Sequence, residues 1–77
     1  ILDARNRIDF LLPDGTGIEV KVAGPTGSLN RQLLRYAQFS VITSLVVVTT
    51  RRTHLANVLR EAGSIKVTPI IVERGLC

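Results

Sequence analysis

Two acidic residues and a lysine on neighbouring predicted strands have the types and spacing needed for metal-assisted chemistry on a phosphate. Glu19 and Lys21 are separated by one residue, so on a strand their side chains share a face. Asp9 lies on the preceding strand, where residues directly opposite are roughly 4.5–5.5 Å apart and diagonal ones roughly 7–8 Å. Two carboxylates at that separation can bind one small hard cation. The sequence therefore predicts a Mg²⁺ or Mn²⁺ site held by Asp9 and Glu19.

The third ligand and the role of the lysine stay open. The backbone carbonyl of Val20 is a candidate third oxygen, because Mg²⁺ keeps several waters and needs few protein ligands. A cation held in this way can bind a phosphate oxygen and lower the pKa of a bound water. Lys21 would orient or deprotonate that water, or stabilise the transition state by its charge. A Glu-x-Lys pair on a strand is, however, more often a solvated ion pair than a catalytic one.

A β-hairpin is the element that must position these residues. Apolar residues alternate over 7–12 and again over 18–22, and the residues between them are a turn cluster. A loop centred on Gly15 pairs Phe10 with Val20, and it predicts Asp9 across from Lys21 and diagonal to Glu19. The opposite face, which we expect to cover the core, would then carry Ile8, Phe10, Leu12, Ile18, Val20 and Val22.

The rest of the sequence predicts an α/β domain in the order β-β-α-β-α-β, a mixed sheet flanked by helices. One helix is expected over 29–39 and a second over 53–62, the latter ended by Gly63. A β-branched run over 45–49 is typical of a central strand covered on both faces, and Pro69 indicates an edge or a bulge in the last strand, 65–72. The apolar stripe of the first helix consists of Leu29, Leu33, Tyr36 and Ala37, and Gln32 borders that stripe. Ser28 and Asn30 are the two candidate N-caps of this helix.

Composition and charge limit the function classes. The chain has 77 residues, 45% apolar and 21% charged, which indicates one globular domain rather than a disordered tail or a coiled coil. The formal charge of +4 suits a polyanion such as nucleic acid, although anionic lipid or solubility would also explain it. The one cysteine, Cys77, excludes an internal disulfide and a cysteine-based zinc site. Because no basic leader precedes an apolar stretch, we expect a cytosolic protein.

Two segments of the chain carry a family resemblance: Arg7-Ile8-Asp9-Phe10-Leu11-Leu12 and Gly17-Ile18-Glu19-Val20-Lys21-Val22. They resemble the PD-(D/E)XK nuclease superfamily, which includes restriction endonucleases and Holliday-junction resolvases. The Gly-rich connector and Leu29-Asn30-Arg31-Gln32 are similar to the VRR-NUC-like and phage-type branches. Gln32-x-x-x-Tyr36 is similar to the helix motif of RecB-like nucleases.

The resemblance implies a restriction-endonuclease-like fold and a Mg²⁺-dependent deoxyribonuclease of the endonuclease type, encoded by a phage or mobile element. By it, Asp9 and Glu19 would be metal ligands, Lys21 catalytic and Gln32 an active-site helper. The superfamily core usually begins with a further helix and strand. Few residues precede the first strand here, so 1–77 is expected to be a single nuclease-like domain truncated at its N-terminus.

DNA is the expected partner. Arg31 and Arg35 are four apart on the outer side of the first predicted helix, and Arg51 and Arg52 follow the central strand. All four are candidate phosphate contacts, although a solvated basic surface is the simpler alternative. A domain this small also predicts a homodimer, because one short core rarely supplies more than about 3–5 kcal/mol of stability.

Other functions are also weighed. A non-catalytic nucleic-acid-binding or assembly module with the same fold is the main alternative, and a structural subunit of a larger enzyme is another. The longest apolar run, 41–48, is too short to span a membrane, and no glycine is followed by the Lys-Ser/Thr of a nucleotide-binding loop. His54 is alone and is expected to cap a helix or lie on the surface.

Overall fold

Residues 8–72 are described by the structure, a computed structural model, and they form a mixed five-stranded sheet with two helices. In chain order the elements are β1 (Phe10–Leu11), β2 (Thr16–Lys21), α1 (Thr26–Tyr36), β3 (Ser44–Thr49), α2 (Arg52–Asn57), β4 (Glu61–Ala62) and β5 (Ile65–Ile71). The strand order is β1-β2-β3-β5-β4, with β2, β3 and β5 parallel and the two outer strands antiparallel to their neighbours. The predicted α/β class is confirmed. The predicted strand start at Arg7 and the site of Cys77 lie outside the described residues.

Both helices pack on the same face of the sheet. α1 connects β2 to β3 and α2 connects β3 to β5, so the two crossovers move in the same direction across the sheet. Right-handed crossovers in one direction place their helices on one face. The core agrees with this, because Leu29 and Leu33 of α1 form one buried cluster with Leu45 and Val47 of β3 and Val67 of β5. The sheet therefore has a helix-covered face and an open face.

The prediction that the hairpin's alternating apolar residues cover the core is wrong for most of them. Phe10 and Val20 lie on the open face and are 58% and 42% exposed. Glu19 instead lies on the helix-covered face and is only 7% exposed. Ile8 is an exception, since it is buried in the core cluster. Alternation defines two faces of a hairpin, but the direction of the helical crossovers decides which one is covered.

The hairpin register differs from the predicted one by two residues. Phe10 pairs with Ile18, whereas the prediction paired it with Val20. A shift of two keeps each side chain on its own face, because the side-chain period of a strand is two. Continued by one residue, the observed register sets Asp9 directly opposite Glu19 rather than diagonal to it.

A turn that is tighter than predicted causes this shift. The Oδ1 atom of Asp14 accepts a hydrogen bond from the Thr16 N–H at 2.9 Å, and Gly15 has a φ of 93°, which favours glycine. Thr16 and Gly17 then belong to β2 instead of the turn. Gly17 is needed for close packing, because a Cβ there would clash with the Ile8 side chain.

Helix α1 begins earlier than predicted but presents the predicted stripe. It starts at Thr26 after Pro25, with no side-chain cap, so neither proposed N-cap residue acts as one. Leu29, Leu33 and Tyr36 are buried, as expected from the stripe.

Asn30, one of the two proposed caps, joins α1 to the segment after α2. Its Oδ1 accepts the Leu59 N–H at 3.0 Å, and its Nδ2 donates to the Asn57 carbonyl at 3.3 Å. The side chain therefore fixes the packing of the two helices rather than the start of its own helix.

The prediction of a second helix over 53–62 is wrong for the second half of that range. α2 ends at Asn57, and Val58 is extended with a ψ of 147°. Glu61–Ala62 form β4, antiparallel to the start of β5, and Gly63 has a φ of 63° in the turn between them. A glycine with positive φ ends a helix or turns a hairpin equally well, so this signal is ambiguous in sequence.

The sheet is fully buried only on its helix-covered face. β3 is central, as predicted, but Val46 and Val48 remain partly exposed, so it is not covered on both faces. β4 pairs with β5 only at Ile65 and Lys66, which leaves Pro69 along an uncovered part of that strand, as its missing N–H predicts. Within 8–72, neither helix combines the length and apolarity that a membrane crossing requires.

Candidate functional site

Asp9 and Glu19 form a carboxylate pair just before β1 begins, where β2 extends past its pairing with β1 and stays paired with β3. β1 pairs with β2 from Phe10 onward, and Asp9, the residue before that pair, is close enough to Glu19 for its charge to raise the pKa of that acid. The Oδ2 atom of Asp9 accepts a hydrogen bond from the Val20 backbone N–H at 2.8 Å. This bond fixes the carboxylate of Asp9 against the strand that carries Glu19. The structure thus brings the two predicted metal ligands together.

Glu19 is a buried acid with an unsatisfied oxygen. Its Oε1 atom has no hydrogen-bond partner. Burial, and next the negative charge of Asp9, raise the pKa of Glu19 from 4.5 to about 7. The backbone N–H of Asp9, the charge of Lys21 and the hydroxyl of Tyr36 act in the opposite direction and lower the pKa. The negatively charged form of Glu19 is therefore disfavoured beside Asp9, and a bound cation would offset that charge.

The Val20 carbonyl lies on the same side of β2 as Asp9. In a strand the N–H and C=O of one residue point to the same neighbour. Because the Val20 N–H is directed at Asp9, its carbonyl is directed to that edge too, beyond the last residue pair of β1. The Val20 carbonyl oxygen, the predicted third ligand, is therefore directed to the same edge of β2 as the Asp9 carboxylate.

Lys21 lies at the end of β2, on the same face as Glu19 and half-buried. Its Nζ atom reaches the connector before α1, where a Cβ added to Gly24 would be 3.2 Å from it. Its charge lowers the pKa of Glu19, so the two groups are close enough to interact electrostatically. The predicted position directly across from Asp9 is wrong, because of the shifted hairpin register.

Gln32 and Tyr36 extend the site onto α1. The Nε2 atom of Gln32 donates to the Tyr36 hydroxyl oxygen at 3.2 Å, and Tyr36 is 1% exposed. Burial and the charges of Glu19 and Asp9 raise the pKa of Tyr36 to about 12, against the charge of Arg35 and the Gln32 bond. The sequence places Tyr36 on the apolar stripe, and the family resemblance places it in the Gln32-x-x-x-Tyr36 helix motif. The signal that points to the site is its spacing of one helical turn from Gln32.

The four candidate DNA-binding arginines are all exposed but lie in two places. Arg35 is near the carboxylate pair, since its charge lowers the pKa of Tyr36. Arg31 is one turn earlier on α1, and its Nη2 reaches the Ser28 hydroxyl at 3.4 Å. Arg51 donates from Nε to the Val22 carbonyl at 3.0 Å, beyond the end of β2, and Arg52 begins α2. Arg35, through Tyr36, and Arg51, at the end of β2, are therefore the two whose interactions reach the region of the site.

His54 is neither a cap nor a surface residue, which corrects the sequence-based expectation. It is 1% exposed, and its Nε2 lies 2.7 Å from the Gly24 carbonyl, which can only accept. Nε2 therefore carries the proton, and Nδ1 accepts from the Thr49 hydroxyl at 3.0 Å. The ring joins the connector after β2 to the end of β3, which is a structural role.

The donor set at the site is small. Among residues 8–72, no group of three or more His, Cys, Asp or Glu side chains is arranged to hold a metal ion. Two carboxylates with one backbone carbonyl suit Mg²⁺, which retains waters, better than a metal that needs a full set of side-chain ligands.

Comparison of the chain with protein-family models, with curated proteins and with solved structures gives no match. The family resemblance of the two hairpin segments consequently stays a prediction. The function must be inferred from the geometry of the site.

Proposed function

We propose that this protein is a Mg²⁺- or Mn²⁺-dependent endonuclease that hydrolyses DNA phosphodiester bonds, on a sheet of restriction-endonuclease-like type. The observation that carries the proposal is the buried Glu19 carboxylate, whose Oε1 atom has no partner while the charge of a second carboxylate, that of Asp9, acts on it. Leaving a buried polar atom unsatisfied costs about 1–3 kcal/mol, and more when the group is charged. A divalent cation between the two carboxylates would offset this cost.

The ligands for that cation would be Asp9, Glu19 and the Val20 carbonyl. The Asp9 carboxylate is oriented in advance, since its Oδ2 atom accepts the Val20 N–H. When bound there, Mg²⁺ supplies positive charge to a phosphate oxygen and lowers the pKa of a bound water.

The basic residues around the pair supply the remaining functions. Lys21 holds a positive charge on the same face as Glu19, where it can orient the attacking water or stabilise charge developing on the phosphate. Arg35 on α1 acts on Tyr36 and Arg31 lies one turn earlier, and both would bind the flanking phosphates without base preference. The formal charge of +4 favours a polyanionic substrate such as DNA, and we expect the protein to act inside the cell.

A non-catalytic nucleic-acid-binding module is the second candidate. The burial of Glu19 favours it, because a carboxylate that is 7% exposed gives a cation a restricted route of entry. In that case the arginines would bind phosphates while Glu19, whose pKa is raised by burial, had only a structural role.

Cleavage of closed circular plasmid DNA decides between the two candidates. We expect native protein to nick the plasmid in Mg²⁺ and to be inactive in chelator. Asp9→Asn should lose a charged ligand, and Lys21→Ala a charge that acts in the transition state, so each should reduce cleavage at least about 100-fold. Glu61→Gln, an exposed acid on β4, is the matched control and should cleave like the native protein.

Binding measured with Ca²⁺ in place of Mg²⁺ completes the comparison. Lys21→Ala should bind DNA nearly as well as native protein. Retained DNA binding with no cleavage by native protein would support the non-catalytic module. Cleavage that survives in Asp9→Asn or in chelator would remove the metal site from the reaction.

A further inference from the structure

The connector between β2 and α1 forms one side of the space that the Lys21 ammonium occupies. A Cβ added to Gly24 would lie 3.2 Å from Lys21 Nζ and 3.4 Å from Cε, so the end of the lysine side chain packs on the Gly24 backbone. The missing side chain at Gly24 leaves the room that the ammonium fills. The position of this connector therefore limits where the ammonium can lie.

The connector is held at two points by side chains that follow β3. The Nε atom of Arg51 donates to the Val22 carbonyl at 3.0 Å, and the Nε2 atom of His54 donates to the Gly24 carbonyl at 2.7 Å. The bond from His54 is the shorter of the two, and it acts on the residue that the ammonium contacts. His54 therefore bears more directly than Arg51 on the place of the lysine.

The ring of His54 is itself fixed on its other side. Its Nδ1 atom accepts from the Thr49 hydroxyl at 3.0 Å, and the Thr49 oxygen accepts the Arg51 backbone N–H at 3.1 Å. Thr49 is also the residue of β3 that pairs with Lys21. The contacts thus form a closed path, which leaves Lys21 through the sheet and returns to its side chain through His54 and Gly24.

We propose that His54 is a positioning residue for Lys21, whose ring holds the Gly24 carbonyl so that the connector confines the ammonium on the face of β2 that carries Glu19. The inference rests on the proposed function, in which the charge of Lys21 acts on the phosphate. With 1% of its surface exposed, His54 does not contact DNA and acts only through the backbone of Gly24.

NMR spectra of the native protein give the first test, because the chain contains one histidine and two lysines. The ¹⁵N spectrum of the His54 ring should show a proton on Nε2 and none on Nδ1. Lysine labelled with ¹³C at Cε should give two distinct Hε signals for Lys21, since a held side chain keeps its two protons in different surroundings. The exposed Lys66 should give one averaged signal.

His54→Asn and His54→Gln form a matched pair of variants. Both replace the ring by an amide, but the Gln amide reaches the position of Nε2 and can donate to the Gly24 carbonyl, whereas the Asn amide reaches only that of Nδ1. We expect the two Hε signals of Lys21 to merge in His54→Asn and to stay separate in His54→Gln.

Val67→Ala is the control for a general loss of stability. It shortens a core side chain that is 2% exposed and that belongs to β5, which does not contact the connector by any of these bonds. We expect Val67→Ala to lower the melting temperature and to leave the two Lys21 signals separate.

Plasmid cleavage supplies a second readout. His54→Asn should lower kcat at least about 10-fold and leave KM for DNA unchanged, because the lysine is misplaced while the phosphate contacts remain. His54→Gln should restore most of the native kcat. An equal fall of kcat in the two variants would overturn the positioning role.

The spectra require neither DNA nor a cation, so this inference and the proposed function can fail separately. A single Lys21 signal in native protein, a proton on Nδ1 of His54, or separate signals in His54→Asn would overturn the positioning role. Merged signals in Val67→Ala would also overturn it, since the effect would then follow stability. The two native spectra can do so even where His54→Asn does not fold. The expected spectra in a native protein that cleaves no DNA would overturn the proposed function and support the link between His54 and Lys21.

Discussion

The burial of Glu19 predicts that the cation-free protein loses stability as the pH rises. A raised pKa in the folded state means that the native protein binds a proton more readily than the unfolded chain between pH 4.5 and about 7. Stability conferred by that proton is complete below pH 4.5 and is lost as the pH rises through about 7. At about 1.4 kcal/mol per pH unit, this shift corresponds to a loss of about 3 kcal/mol.

Urea unfolding in chelator, from pH 4.5 to pH 8, measures this loss. Glu19→Gln keeps the shape of the side chain but cannot ionise, so it should lack this part of the pH dependence and be more stable than native protein at pH 8. All other groups titrate in both proteins, and the difference between the two curves therefore isolates Glu19. Addition of Mg²⁺ should stabilise native protein at pH 8 and leave Glu19→Gln nearly unchanged. If the free energy of unfolding depended on pH in the same way in both proteins, the raised pKa of Glu19 would be refuted. The argument that the site needs a cation would then fail as well.

Three further predictions follow from the fold and the charges. Gly15→Ala should lower the free energy of unfolding by about 1–3 kcal/mol, because Gly15 has a φ of 93° and a Cβ there would lie 2.5 Å from the Val41 carbonyl oxygen. Gly27→Ala is the control, since a Cβ at that position has room. Equal urea midpoints for the two variants would contradict this prediction. Arg31→Ala combined with Arg35→Ala should reduce the slope of log DNA affinity against log salt by about 1–2, and an unchanged slope would remove α1 from the interface. Sedimentation at micromolar concentration should show a homodimer, since the open face leaves apolar surface uncovered, and a lone 8.4 kDa species would reject it.

The sequence predicts the local elements better than their assembly. The apolar stripe of α1, the central position of β3 and the hairpin itself follow from periodicity, which depends only on neighbouring residues. The covered face of the hairpin could not be predicted in the same way, because it depends on the direction of two later crossovers. The predicted hairpin register was wrong by two residues, because the turn is closed by a hydrogen bond from the Thr16 N–H to the side chain of Asp14.

The same limits apply to the candidate site. Asp9 and Glu19 were identified from type and spacing and Gln32 from the family resemblance, and the fold brings all three to one region. The burial of Glu19 was missed, because it requires the packing of the helices on one face of the sheet. An apolar stripe with a tyrosine in it indicates a buried ring, but it does not indicate what the hydroxyl contacts.

The location of a bound cation is the most direct test of the account. Mn²⁺ added in substoichiometric amounts broadens the amide NMR signals of the residues nearest to it. We predict selective broadening of Asp9, Glu19 and Val20, while the signals of Glu61 and Asp14 stay sharp. Broadening centred on either of those exposed acids, or no selective broadening at all, would contradict a cation site between Asp9 and Glu19.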